Sequence, residues 1–150
     1  MSVPIEELRQ ECESVRNAAY CVYAEKTISH FCIAEFPKGW CGCLSRVLGA
    51  VLSKKYPEEA FYYVCGEIYY SNGEWTSHAW IRYKEWILDI AADQFPGINE
   101  PIVITRISDS TFHAKFQITN EHRAEKNVTQ DYEERTILLK KYEMEKEHAS

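Results

Sequence analysis

Three residues of this chain have the types and spacing needed for nucleophilic chemistry: Cys41, His78 and Asp89. Cys41 lies where a loop punctuated by Pro37 and Gly39 gives way to a helical pattern of apolar residues. A thiol at the start of a helix faces unpaired backbone N–H groups and the positive end of the helix dipole. Both favour the thiolate, which is the reactive form. We therefore predict that Cys41 is a catalytic nucleophile, with a buried structural cysteine as the alternative.

His78 and Asp89 are predicted to lie on one face of a sheet. If Lys84 and Glu85 form a two-residue turn, Tyr83 pairs with Trp86 and the register runs outward from that pair. His78 and Asp89 then become diagonal neighbours, about 7–8 Å apart at the backbone. The apolar flanks of Asp89 favour this interpretation, because a carboxylate buried there needs a partner. A pair that merely ties two strands together is the structural alternative.

Glu67 is a competing partner for His78. The Asn72-Gly73 pair is a strong hairpin signal, and a two-residue loop there would place Glu67 opposite His78. The chain offers four other histidines: His30, His113, His122 and His148. His122 lies in a polar loop predicted over residues 119–130 and His148 in the C-terminal tail, so both are weak candidates.

Cys43 is a second thiol two residues after Cys41, and its place inside the first helical turn favours burial. The six cysteines are Cys12, Cys21, Cys32, Cys41, Cys43 and Cys65. Without an export signal we expect free thiols in a reducing compartment. The chain lacks C-x-x-C pairs and a spaced H-x-x-x-H, so we expect no cofactor; a metal site built from Cys41, Cys43 and a histidine is a third alternative.

Composition narrows the classes of partner. The 150 residues, 45% of them hydrophobic, are typical of one globular domain. The net charge of −6, with no cluster of Lys and Arg, argues against nucleic acid. No apolar run reaches the roughly 18 residues of a membrane span, and the first residues lack the features of a secretory signal. We therefore expect a cytoplasmic protein without membrane contact.

The periodicity of apolar residues predicts the elements that position these side chains. Helices are expected over residues 4–24, 42–55 and 131–147, and strands over 60–70, 74–83, 86–91, 101–105 and 112–118. A connector over residues 25–40 holds His30, Cys32 and Glu35. The charged C-terminal helix is expected to close the domain, and it is also a candidate surface for a protein partner.

Within residues 36–105 the chain resembles the transglutaminase-like branch of the papain-like cysteine peptidase superfamily. The matching motifs are Gly39-Trp40-Cys41 leading into a helix, Ser77-His78-Ala79-Trp80, and Leu88-Asp89-Ile90-Ala91. More narrowly, these motifs with the following residues up to Phe95 resemble a group of small bacterial and phage proteins of mostly unassigned function. The resemblance implies an α+β fold, in which a central helix with the cysteine at its N-terminus packs on an antiparallel sheet between flanking terminal helices. It places this core at about residues 36–118.

The same resemblance implies a triad, with Cys41 as nucleophile, His78 as base and Asp89 as the residue that orients the base. Glu35 stands where papain-type enzymes carry an oxyanion-binding Gln. The oxyanion site is therefore expected to use the Cys41 backbone N–H with Gln94 or Trp40.

The expected function is that of a cysteine-dependent amide hydrolase or acyltransferase acting on a protein or peptide. Proteolysis, glutamine deamidation and transamidation all remain open. The alternative, from another class, is a catalytically inactive member of this fold that acts as a protein-binding immunity or adaptor protein.

Overall fold

The structure, a computed structural model, describes residues 2–25, 36, 40–128 and 133–149, with side chains as far as residue 147. The connector residues His30, Cys32 and Glu35 lie outside the described residues, and so does the side chain of His148. Predictions that concern them therefore stay predictions.

The described part of the chain has an α+β fold of four helices and a five-stranded antiparallel sheet. The helices are α1 (Ile5–Ala24), α2 (Cys41–Lys55), α3 (Thr111–Ala114) and α4 (Glu133–Ala149). The strands are β1 (Tyr62–Tyr69), β2 (Trp75–Tyr83), β3 (Trp86–Asp89), β4 (Val103–Arg106) and β5 (Gln117–Arg123), in the order β4-β3-β2-β1-β5. Two short 3₁₀ turns span Ala92–Gln94 and Ile107–Asp109. The α+β class predicted from the sequence is confirmed.

The long helices α1, α2 and α4 pack together, and α2 lies on the sheet. The apolar stripe predicted for α1 is partly buried at Ile5 and fully buried at the residues that follow: Leu8, Cys12, Val15, Ala19 and Val22. A buried carboxylate, Glu11, ties the three helices together by accepting hydrogen bonds from Lys55, Lys146 and Tyr142. Leu138 anchors α4 in the core, as expected for a closing helix. No helix among the described residues has both the length and the apolar character required to span a membrane.

Strand β2 separates two clusters of buried side chains because successive residues point to opposite faces. Ala79, Ile81 and Tyr83 belong to the main core under the helices. Trp80 lies in a smaller cluster on the other face. His78 has the parity of Trp80, as predicted, and its ring contacts the aromatic residues of that face.

The register between β2 and β3 is the predicted one. Tyr83 pairs with Trp86, and Ile81 pairs with Leu88. The ladder places Asp89 at the end of β3, where it pairs with Val103 of β4. This local geometry brings Asp89 towards His78.

The predicted hairpin loop between β1 and β2 is one residue too short. Tyr70 and Glu74 close a three-residue loop, with the Tyr70 amide 2.8 Å from the Glu74 carbonyl and Gly73 at φ 88°. A glycine in the left-handed region accommodates the extra residue. As a result Gly66, not Glu67, lies opposite His78.

This one-residue shift excludes Glu67 as the partner of His78, because it moves the glutamate to the other face of the sheet. Glu67 instead accepts a hydrogen bond from Tyr69. Gly66 serves the site in a different way, because a Cβ there would lie 2.9 Å from Cβ of Phe116. The glycine thus allows Phe116 to pack near the His78 ring, at a centroid distance of 5.7 Å.

The strand predicted over residues 112–118 is also wrong. Helix α3 occupies its first part, because the Ser110 side chain caps the helix by accepting a hydrogen bond from the His113 amide. Strand β5 follows and extends into the segment predicted to be a polar loop. His122, assigned to that loop, lies in β5 and stacks on Tyr63.

Candidate active site

Cys41 is the first residue of α2, and the first turn of this helix is fixed to β2 beside His78. The Ser45 hydroxyl donates a hydrogen bond to the Ala79 carbonyl at 3.1 Å. The residue before the thiol, Trp40, is fully buried and packs edge-on against the Phe36 ring. The start of α2 is therefore held on both sides, with the thiol next to the strand that carries the histidine.

Three groups lower the pKa of the Cys41 thiol: the His78 ring, the Gln94 side chain and the backbone N–H of Ala79. Burial alone would raise the pKa of this thiol. The hydrogen bond and positive charge of His78, together with the other two donors, outweigh burial and lower the pKa below its ordinary value of 9.0. The surroundings of Cys41 thus favour the thiolate.

His78 is completely buried, and each of its ring nitrogens has a partner. Its Nε2 lies 2.6 Å from Oδ2 of Asp89, and its Nδ1 lies 3.0 Å from Nε2 of Gln94. Burial alone would lower the pKa of the imidazole. The charge and hydrogen bond of Asp89, followed by those of Cys41, raise it to about 9. The pKa therefore favours the imidazolium form, in which Nδ1 carries a proton and the Gln94 side chain must turn its amide oxygen towards it, since the amide nitrogen only donates.

Asp89 is fully buried and accepts three hydrogen bonds. The Ala91 amide donates to Oδ1 at 2.9 Å, while His78 and His113 both donate to Oδ2, at 2.6 and 2.7 Å. Burial would raise the pKa of the carboxyl, but the charge of His78 and the hydrogen bonds from both histidines lower it to about 2. Asp89 is thus ionised in spite of its apolar flanks, since its surroundings supply the partners that those flanks require.

Gln94 reaches the site from the 3₁₀ turn that follows Ala91, and an arginine of α1 fixes this turn. Arg16 is nearly buried and makes a two-pronged ion pair with Asp93, at 2.7 and 2.8 Å. It also donates to the carbonyl of Ile90 at 2.6 Å. Sequence reasoning missed this role for Arg16, because its target is 77 residues further along the chain.

The structure brings His78, Asp89 and Gln94 together, with Cys41 at the start of α2 as their predicted nucleophile, and it places two other predicted or rival residues elsewhere. The indole of Trp40 lies in the main core. Cys43 is half-buried, and burial raises the pKa of its thiol to about 12. The two neighbouring thiols therefore have opposite shifts in pKa, in the direction that favours Cys41 as the reactive one.

His113 is the residue of the site that sequence reasoning did not identify. It is 24 residues from Asp89 along the chain, and α3 brings it to the carboxylate. The Ser110-x-x-His113 capping pattern was the available signal, since it predicts a helix start and not a strand.

The group His78, Asp89 and His113 has the residue types of a metal site, with one donor atom of each within 4.8 Å of the others. The two N–O distances of 2.6 and 2.7 Å are those of short hydrogen bonds. Among the described residues, neither Cys41 nor Cys43 belongs to this possible ligand group. The contacts observed are those of a carboxylate shared by two histidines.

Comparison with known proteins adds no family assignment to this geometry. No family model, curated protein or solved structure matches the chain. The chemistry of the site is therefore inferred from its own contacts.

Proposed function

We propose that this protein is a cysteine-dependent amide hydrolase or acyltransferase that uses Cys41 as nucleophile, His78 as base and Asp89 as orienting residue. What carries the proposal is a buried imidazole that is bonded through Nε2 to a buried carboxylate and that lowers the pKa of the Cys41 thiol. This is the arrangement of nucleophile, base and orienter that acyl transfer requires. The helix-on-sheet setting of Cys41 supports a papain-like or transglutaminase-like core.

The first half of the reaction makes a thioester. The Cys41 thiolate attacks the carbonyl carbon of an amide, and the electron pair of the C=O bond moves to oxygen. The tetrahedral intermediate collapses, the C–N bond breaks, and the leaving nitrogen takes the proton from the His78 imidazolium. Asp89 holds Nε2 of His78 in its protonated state, which directs Nδ1 towards the thiol and the substrate.

The negative oxygen of the intermediate needs hydrogen-bond donors. The backbone N–H of Cys41 points out of the first turn of α2, where the helix has unpaired N–H groups. The Gln94 amide is close enough to interact with both the thiol and the His78 ring. These two donors are the proposed oxyanion site.

The second half of the reaction decides the product. Water activated by His78 hydrolyses the thioester, which completes proteolysis at a peptide bond or deamidation at a glutamine side chain. An amine in place of water completes transamidation. The three outcomes share one acyl-enzyme.

A protein or peptide substrate is supported by the surface beyond the thiol. Ser45 of α2 is bonded to Ala79 of β2, and the first residues of β2, Trp75 to Ser77, are exposed or partly exposed. Two aromatic side chains paired across the strands are exposed there, Tyr69 at 62% and Trp75 at 59%. Extended chains commonly bind along such strand surfaces through aromatic side chains. The lowered pKa of the Cys41 thiol also favours catalysis over the inactive binding protein.

The proposal predicts that wild-type protein forms an acyl-enzyme at Cys41. Mixing the protein with p-nitrophenyl acetate should release a burst of p-nitrophenol close to one equivalent, because acylation by a reactive ester precedes slower deacylation. Mass spectrometry of the quenched protein should then find one acetyl group, with fragmentation assigning it to Cys41. Release without a burst, or an acetyl group on another residue, would contradict the proposal.

The acceptor is tested in the same experiment. Adding hydroxylamine should shorten the lifetime of the acetyl-enzyme and yield acetohydroxamate, since a thioester reacts readily with amines. A stable adduct that hydroxylamine does not remove would show that the acetylated group is not a thioester.

A further inference from the structure

His113 is a buried histidine that no step of the proposed reaction uses. It is 5% exposed, and its Nε2 lies 2.7 Å from the same carboxylate oxygen of Asp89 that His78 contacts at 2.6 Å. Both contacts require a proton on nitrogen, because an ionised carboxylate only accepts. Asp89 therefore divides one oxygen between two imidazole donors.

Ser110 defines which nitrogen of His113 carries the proton. Its hydroxyl oxygen lies 2.6 Å from Nδ1 of His113 and accepts a hydrogen bond from the His113 amide at 3.1 Å. The hydroxyl proton is then directed to Nδ1, which leaves the ring proton on Nε2, facing Asp89. Hydrogen bonds thus run without a break from Ser110 through His113 to Asp89, and His78 extends this network to the thiol.

We propose that His113 is a positioning residue that shares Oδ2 of Asp89 with His78 and so limits how strongly the carboxylate attracts the His78 proton. A carboxylate oxygen that accepts two hydrogen bonds is a weaker base towards each donor than one that accepts a single bond. The effect of this weaker basicity on catalysis rests on the proposed function. An imidazolium held too tightly by its carboxylate transfers its proton less readily to the leaving nitrogen.

Among the described residues, Asp89 is the charged residue that contacts the His113 ring. The rings of Trp80 and Phe112 pack edge-on at 4.8 and 4.9 Å, and the His78 ring lies at 6.3 Å. The cavity beside His113, of about 240 Å³, is also lined by Arg82 and Glu121, which form an ion pair with each other at 3.4 Å.

One further carboxylate faces His113 from its other side. Glu100 lines a second cavity that reaches His113 from the loop before β4. Glu100 is exposed, so solvent screens its charge. A change in the titration of His78 on altering His113 would therefore be transmitted through Asp89.

The test compares His113→Gln with His113→Leu. The glutamine amide can replace the Nε2–H donor, whereas leucine fills similar space without one. We would follow the His78 ring by NMR against pH in a Cys41→Ala background, so that thiol ionisation does not overlap. The His78 midpoint is expected to rise by about half a unit to one unit in His113→Leu and by clearly less in His113→Gln.

A purely structural role would lower the melting temperature of His113→Leu and leave the His78 midpoint unchanged, and that result would overturn the proposal. If His113→Leu does not fold, Ser110→Ala provides the same test, because it removes the hydroxyl that fixes the His113 tautomer. An upward shift of the His78 midpoint in Ser110→Ala supports the proposal, and an unchanged midpoint overturns it. Since the thiol is absent from these proteins, the result is independent of whether Cys41 forms an acyl-enzyme.

Discussion

Replacing Cys41 by alanine is expected to abolish formation of the acyl-enzyme, while replacing Cys43 by alanine leaves it close to the wild-type rate. The two thiols are two residues apart, but the pKa of Cys41 is lowered by His78 and Gln94, and burial raises that of Cys43 to about 12. The p-nitrophenol burst of each variant measures this difference. Cys43→Ala is the matched control, because both substitutions remove one thiol near the start of α2.

A burst that is kept in Cys41→Ala and lost in Cys43→Ala would make Cys43 the nucleophile. The proposed role of His78 as the base for Cys41 would then be wrong. Equal bursts in both variants would place the acylated group elsewhere. Circular dichroism of both variants shows whether α2 and the sheet remain folded, so that a lost burst is not a lost fold.

Replacing Asp89 by asparagine should lower the acylation rate by a factor of about 10³–10⁴. The carboxylate accepts from Ala91, His78 and His113, and an amide has one accepting oxygen in place of two. Turning the amide nitrogen towards the histidines forces His78 to carry its proton on Nδ1, where it cannot accept the thiol proton. If the amide nitrogen instead points towards Ala91, it faces the Ala91 N–H and that hydrogen bond is lost. The rate of acetylation measures the loss.

A rate within about tenfold of wild type would show that Asp89 is a link between strands and not the orienter of His78. His113→Gln is an informative companion variant, since it keeps the carboxylate and one donor to it. Its rate is expected to lie much closer to wild type.

The Asp89–His78 pair also gives stability a defined pH dependence. Asp89 has its pKa lowered from 3.8 to about 2, so its contribution is present above 3.8 and is lost as pH falls towards 2. His78 has its pKa raised from 6.5 to about 9, so its contribution is present below 6.5 and is lost as pH rises through 9. The lowered pKa of Cys41 contributes in the opposite direction over the same range, so the His78 contribution is measured in Cys41→Ala, whose melting temperature should fall between pH 6.5 and 9. In Cys41→Ala with Asp89→Asn this fall should be smaller, because the charge that favours the imidazolium is gone.

The relation between His78 and Asp89 could be predicted from the sequence because it depends on local rules. Strand parity and the turn at Lys84-Glu85 are sufficient to put both residues on neighbouring strands, and the structure has that register. The position of Cys41 at the start of a helix follows equally from the apolar spacing after it.

The remaining parts of the site depend on contacts that sequence patterns do not specify. The loop at Asn72-Gly73 could hold two or three residues, and the choice decides whether Glu67 or Gly66 faces His78. His113 and Arg16 reach the site from α3 and α1, across separations of 24 and 77 residues. Such long-range packing is fixed by the folded core and not by the neighbours of each residue.

The most direct test of an activated Cys41 is the rate of its alkylation by iodoacetamide as a function of pH, followed for each cysteine by mass spectrometry in the Cys43→Ala variant. Cys12, Cys21 and Cys65 serve as internal controls, because burial raises the pKa of each of them. At about pH 6, a thiol with the ordinary pKa of 9.0 is only about one-thousandth ionised. Cys41 is predicted to keep a larger fraction of its maximal rate there than such a thiol, and His78→Gln should remove this advantage. A rate for Cys41 that falls tenfold per pH unit below 9, as for an ordinary thiol, would contradict its role as the nucleophile.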